Sequence, residues 1–242
     1  MEPVQGNSWL PDIQVMTARY PDKNSGGLFL AAKGGHNEES HNHNDVGNFI
    51  IYLNGNPAII DVGVETYRRQ TFSDERYTIW TMQSAYHNCP TVDGQMELAG
   101  REYAASSAVH HADDRVAELS LNIENAFGPE AGIDTWKRTY RLDRTKNAVE
   151  IREDYSLKKP AGVITLTLMT AGKPTQKAPG VVDLAGKAVA RYDPQVFRPK
   201  IEQIALKDGR LRSAWGDTLW RILLVAGKPP RKAAWTTTIT QS

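Results

Sequence analysis

The stretch Gly35-His36-Asn37-Glu38-Glu39-Ser40-His41-Asn42-His43-Asn44-Asp45-Val46-Gly47-Asn48-Phe49 gathers groups able to do chemistry. Three of the chain's six histidines fall within eight residues, interleaved with amides and acids. In an extended segment residues i and i+2 share one side, so His41 and His43 can face one cleft. Neutral imidazole is a common zinc ligand, and a His-x-His pair offers two ligands from one segment. The same spacing also suits a polar surface loop with two solvated histidines.

Two further positions bear on that choice. Asp61 follows the apolar run Ala58-Ile59-Ile60 and precedes Val62-Gly63. A carboxylate at the end of such a run is unfavourable unless it is paired or bound, although a turn aspartate before Gly63 is the plainer alternative. His87 lies in Ser84-Ala85-Tyr86-His87-Asn88-Cys89-Pro90, where a core histidine satisfied by backbone is the plainer reading. Geometry sets a condition on any joint site. If Asn54-Gly55-Asn56 closes a hairpin, Asp61 lies opposite Phe49, and His43 is roughly 20 Å further along a straight strand. Residues 44–48 must therefore curl back, and Asn42, Asn44, Asp45 and Gly47 are good turn formers.

The elements that must position these residues are strands. Period-2 or β-branched runs predict Ile13–Arg19, Leu28–Lys33, Gly47–Leu53, Ala58–Val62, Val116–Asn122, Thr135–Asp143, Ala148–Ser156 and Val163–Thr170. Four more follow at Lys187–Tyr192, Ile201–Ala205, Leu219–Val225 and Ala234–Ile239. Asn54-Gly55, Asp93-Gly94 and Asp208-Gly209 are expected turns. Thr135–Asp143 places Trp136, Arg138, Tyr140 and Leu142 on one face, as a half-buried antiparallel strand requires. One helix is expected between Ser73 and Gln83, capped by Ser73. His110 and His111, beside Asp113 and Asp114, read as an exposed turn. A dozen strands and almost no helix predict an all-β fold, a large antiparallel two-sheet β-sandwich, as a single domain over residues 1–242.

Composition narrows the function. With 242 residues and 40% hydrophobic content, the chain can bury a sizeable core. The 29 basic and 28 acidic residues give a net charge of +1, against a dedicated nucleic-acid partner. The longest apolar runs, Phe49–Leu53 and Ile222–Ala226, are strand-sized, so no membrane span is expected. Cys89 is the single cysteine and can form no internal disulfide. Met1 to Gly6 lack the basic-then-apolar pattern of a signal peptide.

The run Ser40 to Phe49, then Ile59-Ile60-Asp61-Val62-Gly63, then Tyr86-His87-Asn88, resembles the heparinase II/III-like polysaccharide lyases. Trp9-Leu10-Pro11-Asp12 and the stretch Ala31 to Asn37 add to the likeness, which runs from Trp9 to Gly94; the rest fits as sandwich strands. The resemblance implies that His43, Asp61 and His87 hold zinc and that His41 faces the substrate. It implies a C-terminal β-sandwich domain, with an N-terminal (α/α) toroid as partner that supplies the main catalytic tyrosine and a holder for the uronate carboxylate. The toroid is expected to be absent from this chain, leaving it inactive alone. The implied substrate is an acidic, uronate-containing polysaccharide such as a glycosaminoglycan or alginate, and the implied location is periplasmic or secreted.

Such lyases cleave by β-elimination: a base takes the C5 proton and an acid reaches the departing C4 oxygen. His41 suits that cleft, since imidazole titrates near neutrality. Tyr77, Arg68 and Arg76 lie between the Asp61 and His87 motifs and are candidate substrate contacts, with surface solvation as the alternative for each arginine. Two other functions compete: a non-catalytic, zinc-stabilised carbohydrate-binding or structural sandwich, and a metal-dependent hydrolase. An open, water-filled metal position facing a cleft favours the hydrolase. A shielded metal with His41 pointing past it favours the lyase.

Overall fold

The computed structural model describes residues 6–20 and 26–242; residues 1–5, read above for a leader, lie outside them. Nineteen strands are present among the described residues. The first nine are β1 (Asn7–Leu10), β2 (Val15–Arg19), β3 (Leu28–Lys33), β4 (His36–Asn37), β5 (Phe49–Leu53), β6 (Asn56–Ile59), β7 (Pro90–Val92), β8 (Gly100–Ala104) and β9 (Ser106–Ala112). Next come β10 (Val116–Asn122), β11 (Ile133–Asp143), β12 (Ala148–Leu157), β13 (Val163–Thr170) and β14 (Thr175–Ala178). The last five are β15 (Val181–Leu184), β16 (Ala188–Arg191), β17 (Arg198–Ala205), β18 (Thr218–Gly227) and β19 (Lys232–Gln241).

One layer is an eight-stranded antiparallel sheet in the order β14-β15-β16-β19-β12-β11-β10-β9. Facing it are a five-stranded sheet, β1-β2-β3-β5-β6, and a four-stranded one, β17-β18-β13-β7. These two adjoin where the Ile60 N–H donates to the Met169 carbonyl at 3.0 Å. A single apolar cluster draws on all three, from Met16 and Leu30 through Trp136 and Tyr140 to Leu166 and Ile222. The fold class is thus the expected all-β sandwich. All twelve predicted strands occur, and Trp136, Arg138, Tyr140 and Leu142 are buried as the alternation requires. The seven added strands are mostly two to five residues long, too short for alternation to mark them in the sequence; β14, for instance, is exposed throughout.

Three local expectations change. Ser73–Gln83 does not form a helix but two isolated 3-10 turns, Arg76–Thr78 and Trp80–Met82, separated by the extended residue Ile79. Glu75 O and Ile79 O accept from the N–H groups three residues on, those of Thr78 and Met82, and Tyr77 O accepts from the Gln83 side chain, so no continuous i to i+4 ladder forms. Asp208-Gly209 is not a turn; Asp208 caps the helix α1 (Gly209–Trp215), accepting from the N–H groups of Arg210 and Leu211. His110 and His111 lie in β9, opposite Leu119 and Glu118, and the Trp9 ring stacks on His110 at 5.2 Å. The turn falls one step later, where Asp113 accepts from the N–H groups of Arg115 and Val116. No helix among the described residues is long and apolar enough to cross a membrane.

Candidate metal centre

The chain between β3 and β5 makes the curl that a joint site demands. Asn48 N–H closes a turn onto Asp45 O, and Gly47 takes φ +81°. A Cβ at Gly47 would stand 3.1 Å from Ile123 and 3.2 Å from the Tyr140 hydroxyl, so the loop needs glycine for space as well as for dihedral. The β5–β6 register pairs Ile51 with Ile59, which carried two steps on sets Phe49 beside Asp61. Asn48 then reaches Asp61 directly, Nδ2 to Oδ2 at 2.6 Å.

His43, Asp61 and His87 come together, with one donor atom from each within 4.8 Å of the others. His87 is fully buried. Its Nδ1 lies 2.9 Å from Asp61 Oδ2, and its Nε2 faces the Thr81 carbonyl at 3.0 Å and His43 Nδ1 at 3.3 Å. Burial alone would lower the His87 pKa, but the Asp61 carboxylate and its hydrogen bond outweigh it and push it up to about 9. Asp61 is the mirror case. Its burial is outweighed by the His87 charge, that same bond and the Gly63 N–H, holding the carboxyl well below the usual range. Burial, then the neighbouring His87, lowers His43 to about 4.

This donor set fits a metal. Ligands held about 2.0–2.1 Å from a tetrahedral ion stand about 3.4 Å apart, close to the 3.3 Å between the His43 and His87 nitrogens. Two imidazoles and a carboxylate suit zinc or a similar borderline divalent ion. Without an ion, His87 Nδ1 pairs with Asp61 and Nε2 donates to the Thr81 carbonyl, so metal and proton compete for Nε2.

A buried polar frame supports the ligands. Asn88 Nδ2 donates to Asn48 Oδ1 and to the carbonyls of Phe49 and Ile60, while its Oδ1 accepts from Met169 N–H. Arg138, from the opposite sheet, donates through Nη1 to the carbonyls of Gly47 (2.9 Å) and Asn88 (2.7 Å) and pairs with Glu153 at 2.6 Å. The Tyr140 hydroxyl also donates to Gly47 O. The core of one sheet therefore grips the backbone beside the other sheet's ligands.

His41 is exposed, with left-handed backbone at φ +59°, a conformation that costs a non-glycine residue free energy and so is held by its surroundings. His41, His43 and Asp61 line one pocket of about 390 Å³, with Lys33 on its wall paired to Asp45 at 2.8 Å. The sequence reading did not single out Tyr67, whose ring lies parallel to His41 at 5.8 Å with its hydroxyl 3.4 Å from Nδ1. Arg76 spends its guanidinium on the carbonyls of Asn42 and Thr71. The Tyr77 hydroxyl meets the Asn42 amide at 3.3 Å. Arg68 pairs with Glu65 at 2.5 Å and borders a separate groove with Trp80. The three ligand residues and His41 are thus brought together, while Arg68 stands apart.

Residues 8–198 match the family model described as Heparinase II/III-like, C-terminal. No curated protein sequence matches. The fold is similar to the heparan sulfate lyase HepC from Pedobacter heparinus, with a TM-score of 0.73 and 16% identity over 98% of this chain and 36% of that one. It is also similar to a crystal structure of heparinase III, with a TM-score of 0.65 and 16% identity over 94% of this chain and 35% of that one. The chain spans about a third of the length of these relatives.

Proposed function

The chain belongs to the heparinase II/III-like C-terminal family, and from that premise we propose that it is the sandwich domain, residues 1–242, of an exported polysaccharide lyase. The substrate class is an acidic, uronate-containing polysaccharide, cleaved by β-elimination in a cleft shared with an N-terminal helical toroid. The observation that carries this reading is the convergence of His43, Asp61 and the buried His87, with His43 and Asp61 on the pocket that His41 also lines.

In the proposed site zinc would be held by His43, Asp61 and His87, with a water or another side chain completing the set. When bound, it supplies a fixed positive centre that holds the loop and polarises its ligands. His41 projects into the cleft as a proton carrier, kept in place by its constrained backbone and the Tyr67 ring. In the elimination a base removes the C5 proton, the C4–oxygen bond breaks, the C4–C5 double bond forms and the departing oxygen gains a proton. Neutralising the adjacent carboxylate is needed to make C5 acidic enough. That group and the principal catalytic tyrosine come from the toroid in this proposal, so the chain alone is slow. Tyr77 is kept as a substrate contact, Arg68 as one only for a chain that runs on into the groove it borders with Trp80, and Arg76 supports the loop.

Complete burial of His87 favours a metal that orients the loop over one that activates water. The same observation suits a second reading, a non-catalytic, zinc-stabilised carbohydrate-binding sandwich. Two experiments test the assignment. Metal content of protein purified without chelator should fall in His43→Ala and His87→Ala; unchanged zinc in both would sink the ligand set. Incubation with heparan sulfate, hyaluronan, chondroitin sulfate and alginate, followed by unsaturated-uronate absorbance, should give no appreciable signal until a helical domain is supplied. Signal that then appears and is abolished by His41→Ala supports the lyase. Binding without cleavage under every condition supports the second reading.

A further inference from the structure

Glu97 lies between β7 and β8, ten positions beyond His87, and only 3% of its surface is exposed. Its Oε2 accepts from Asn37 Nδ2 at 3.0 Å and from the Val46 N–H at 2.9 Å, the two ends of the loop that carries His41 and His43. Its carbonyl accepts from Asn44 Nδ2 at 3.2 Å. Its own N–H donates to Ser84 Oγ at 2.9 Å, at the start of the turn that delivers His87. One residue therefore ties the segment bearing one ligand to the segment bearing another.

No salt bridge joins Glu97 to a cation among the described residues, and its Oε1 has no hydrogen-bond partner. Burying a carboxyl this way costs free energy that an apolar residue would not, so folding alone gives little reason for it. What an apolar residue lacks is an acceptor for two donors 9 positions apart along the chain, Asn37 and Val46. Burial, with Asp45 nearby, pushes its pKa up to about 7, so a neutral amide is a fair copy of much of its population.

We propose that Glu97 is a positioning residue of the metal centre, clamping the His41–His43 loop to the His87 turn so that the ligands are preset. The proposal rests on the metal reading above and adds to it a residue that touches neither metal nor substrate. Partners that orient metal ligands typically contribute about 10–100-fold in affinity.

The test compares the full chain with Glu97→Gln and Glu97→Ala. Zinc affinity is read by competition with a chromogenic chelator, and site geometry by the visible spectrum of the cobalt(II) form. Glu97→Gln, which keeps the acceptor, should hold affinity within about threefold, and Glu97→Ala should lose about 10–100-fold with an altered cobalt spectrum. Histidine ring signals in the metal-free chain give a second arm. His41 and His43 should keep their wild-type shifts in Glu97→Gln and move in Glu97→Ala, while the amides of β10–β12 stay in place. Wild-type protein that binds no zinc overturns the metal reading, yet the ring signals still decide whether Glu97 clamps the loop. Glu97→Ala with wild-type affinity and unmoved histidine signals overturns the clamp. Equal losses in Glu97→Gln and Glu97→Ala overturn it as well, because an acceptor would then not be what matters.

Discussion

The ladder β10-β11-β12-β19 and the segment 36–97 are folded by different means. In the ladder, backbone pairs run nearly without interruption from Ile133 to Asp143 and from Ala148 to Leu157, and side chains alternate between core and solvent. In 36–97 short 3-10 turns and left-handed residues prevail, and side chains satisfy backbone groups far away in sequence, as Asn88 does for Phe49 and Ile60. Both regions bury apolar side chains, Phe49, Ile51 and Ile59 among them in the segment, but the segment depends in addition on a buried polar network. Such a network fixes one geometry when complete and is costly when a member is missing. A lost methyl group in the ladder should therefore loosen packing locally, whereas a lost amide in the segment should release several backbone groups together.

Arg138 joins the two regions, and removing it gives the largest expected effect. Arg138→Leu leaves Glu153 buried without its charge partner and orphans the Asn88 carbonyl, while Gly47 O keeps only the Tyr140 hydroxyl, so a loss of about 3–5 kcal/mol is expected in urea unfolding. Replacing both partners of a buried pair by apolar residues is often nearly neutral. Here Arg138→Leu with Glu153→Leu should stay destabilised, since the Asn88 carbonyl and Trp136 Nε1, which donates to Glu153 at 2.7 Å, lose their partners too. Full recovery in the double variant would show that the ion pair, and not the grip on the loop, is what Arg138 provides.

Removing zinc should have a smaller effect. At free metal 100 times Kd the bound ion adds about 2.7 kcal/mol, so chelation should lower Tm and leave the strand signal folded. The metal-free protein should then show a pH signature in the segment alone. The His87 pKa is raised from 6.5 to about 9, so the stability from its pair with Asp61 is fully present below pH 6.5 and is lost as pH rises through about 9. Thermal melts of chelated protein between pH 6 and 10 should show that decline, and His87→Ala should flatten it. Complete unfolding on chelation would mean the ladder depends on the site, against the division drawn here.

The same division explains what could be read from sequence. Thr135–Asp143 was legible because each side chain's environment follows from its neighbours two positions away. The grouping of His43, Asp61 and His87 was legible as three linked motifs, and the curl at 44–48 as a necessity, because Asn and Gly there allow it. Glu97, Asn88 and Tyr67 were not legible. Their partners lie 60, 40 and 26 positions off, at Asn37, Asn48 and His41, and no local pattern marks them. The Ser73–Gln83 helix failed because its backbone closes three-residue turns on either side of the extended Ile79, with Tyr77 O taken by the Gln83 side chain.

The smallest expected effect comes from one residue's shift along β12. Glu153 points inward to Arg138, both 2% exposed, while Arg152 and Asp154 point outward and pair with each other at 2.7 Å, with 52% and 38% of their side chains exposed. The hydrogen bond to Asp154, then its charge, raises the Arg152 pKa, so the pair is formed. Water solvates both ions when they separate, however, and exposed pairs contribute about 0–1 kcal/mol. Arg152→Ala should therefore change urea-unfolding stability by no more than about 0.5 kcal/mol, and adding salt should shrink even that difference. A loss near that of Arg138→Leu would mean that the outer face of β12 is as demanding as the inner one. The alternation that made this ladder legible would then have named the wrong face as solvent.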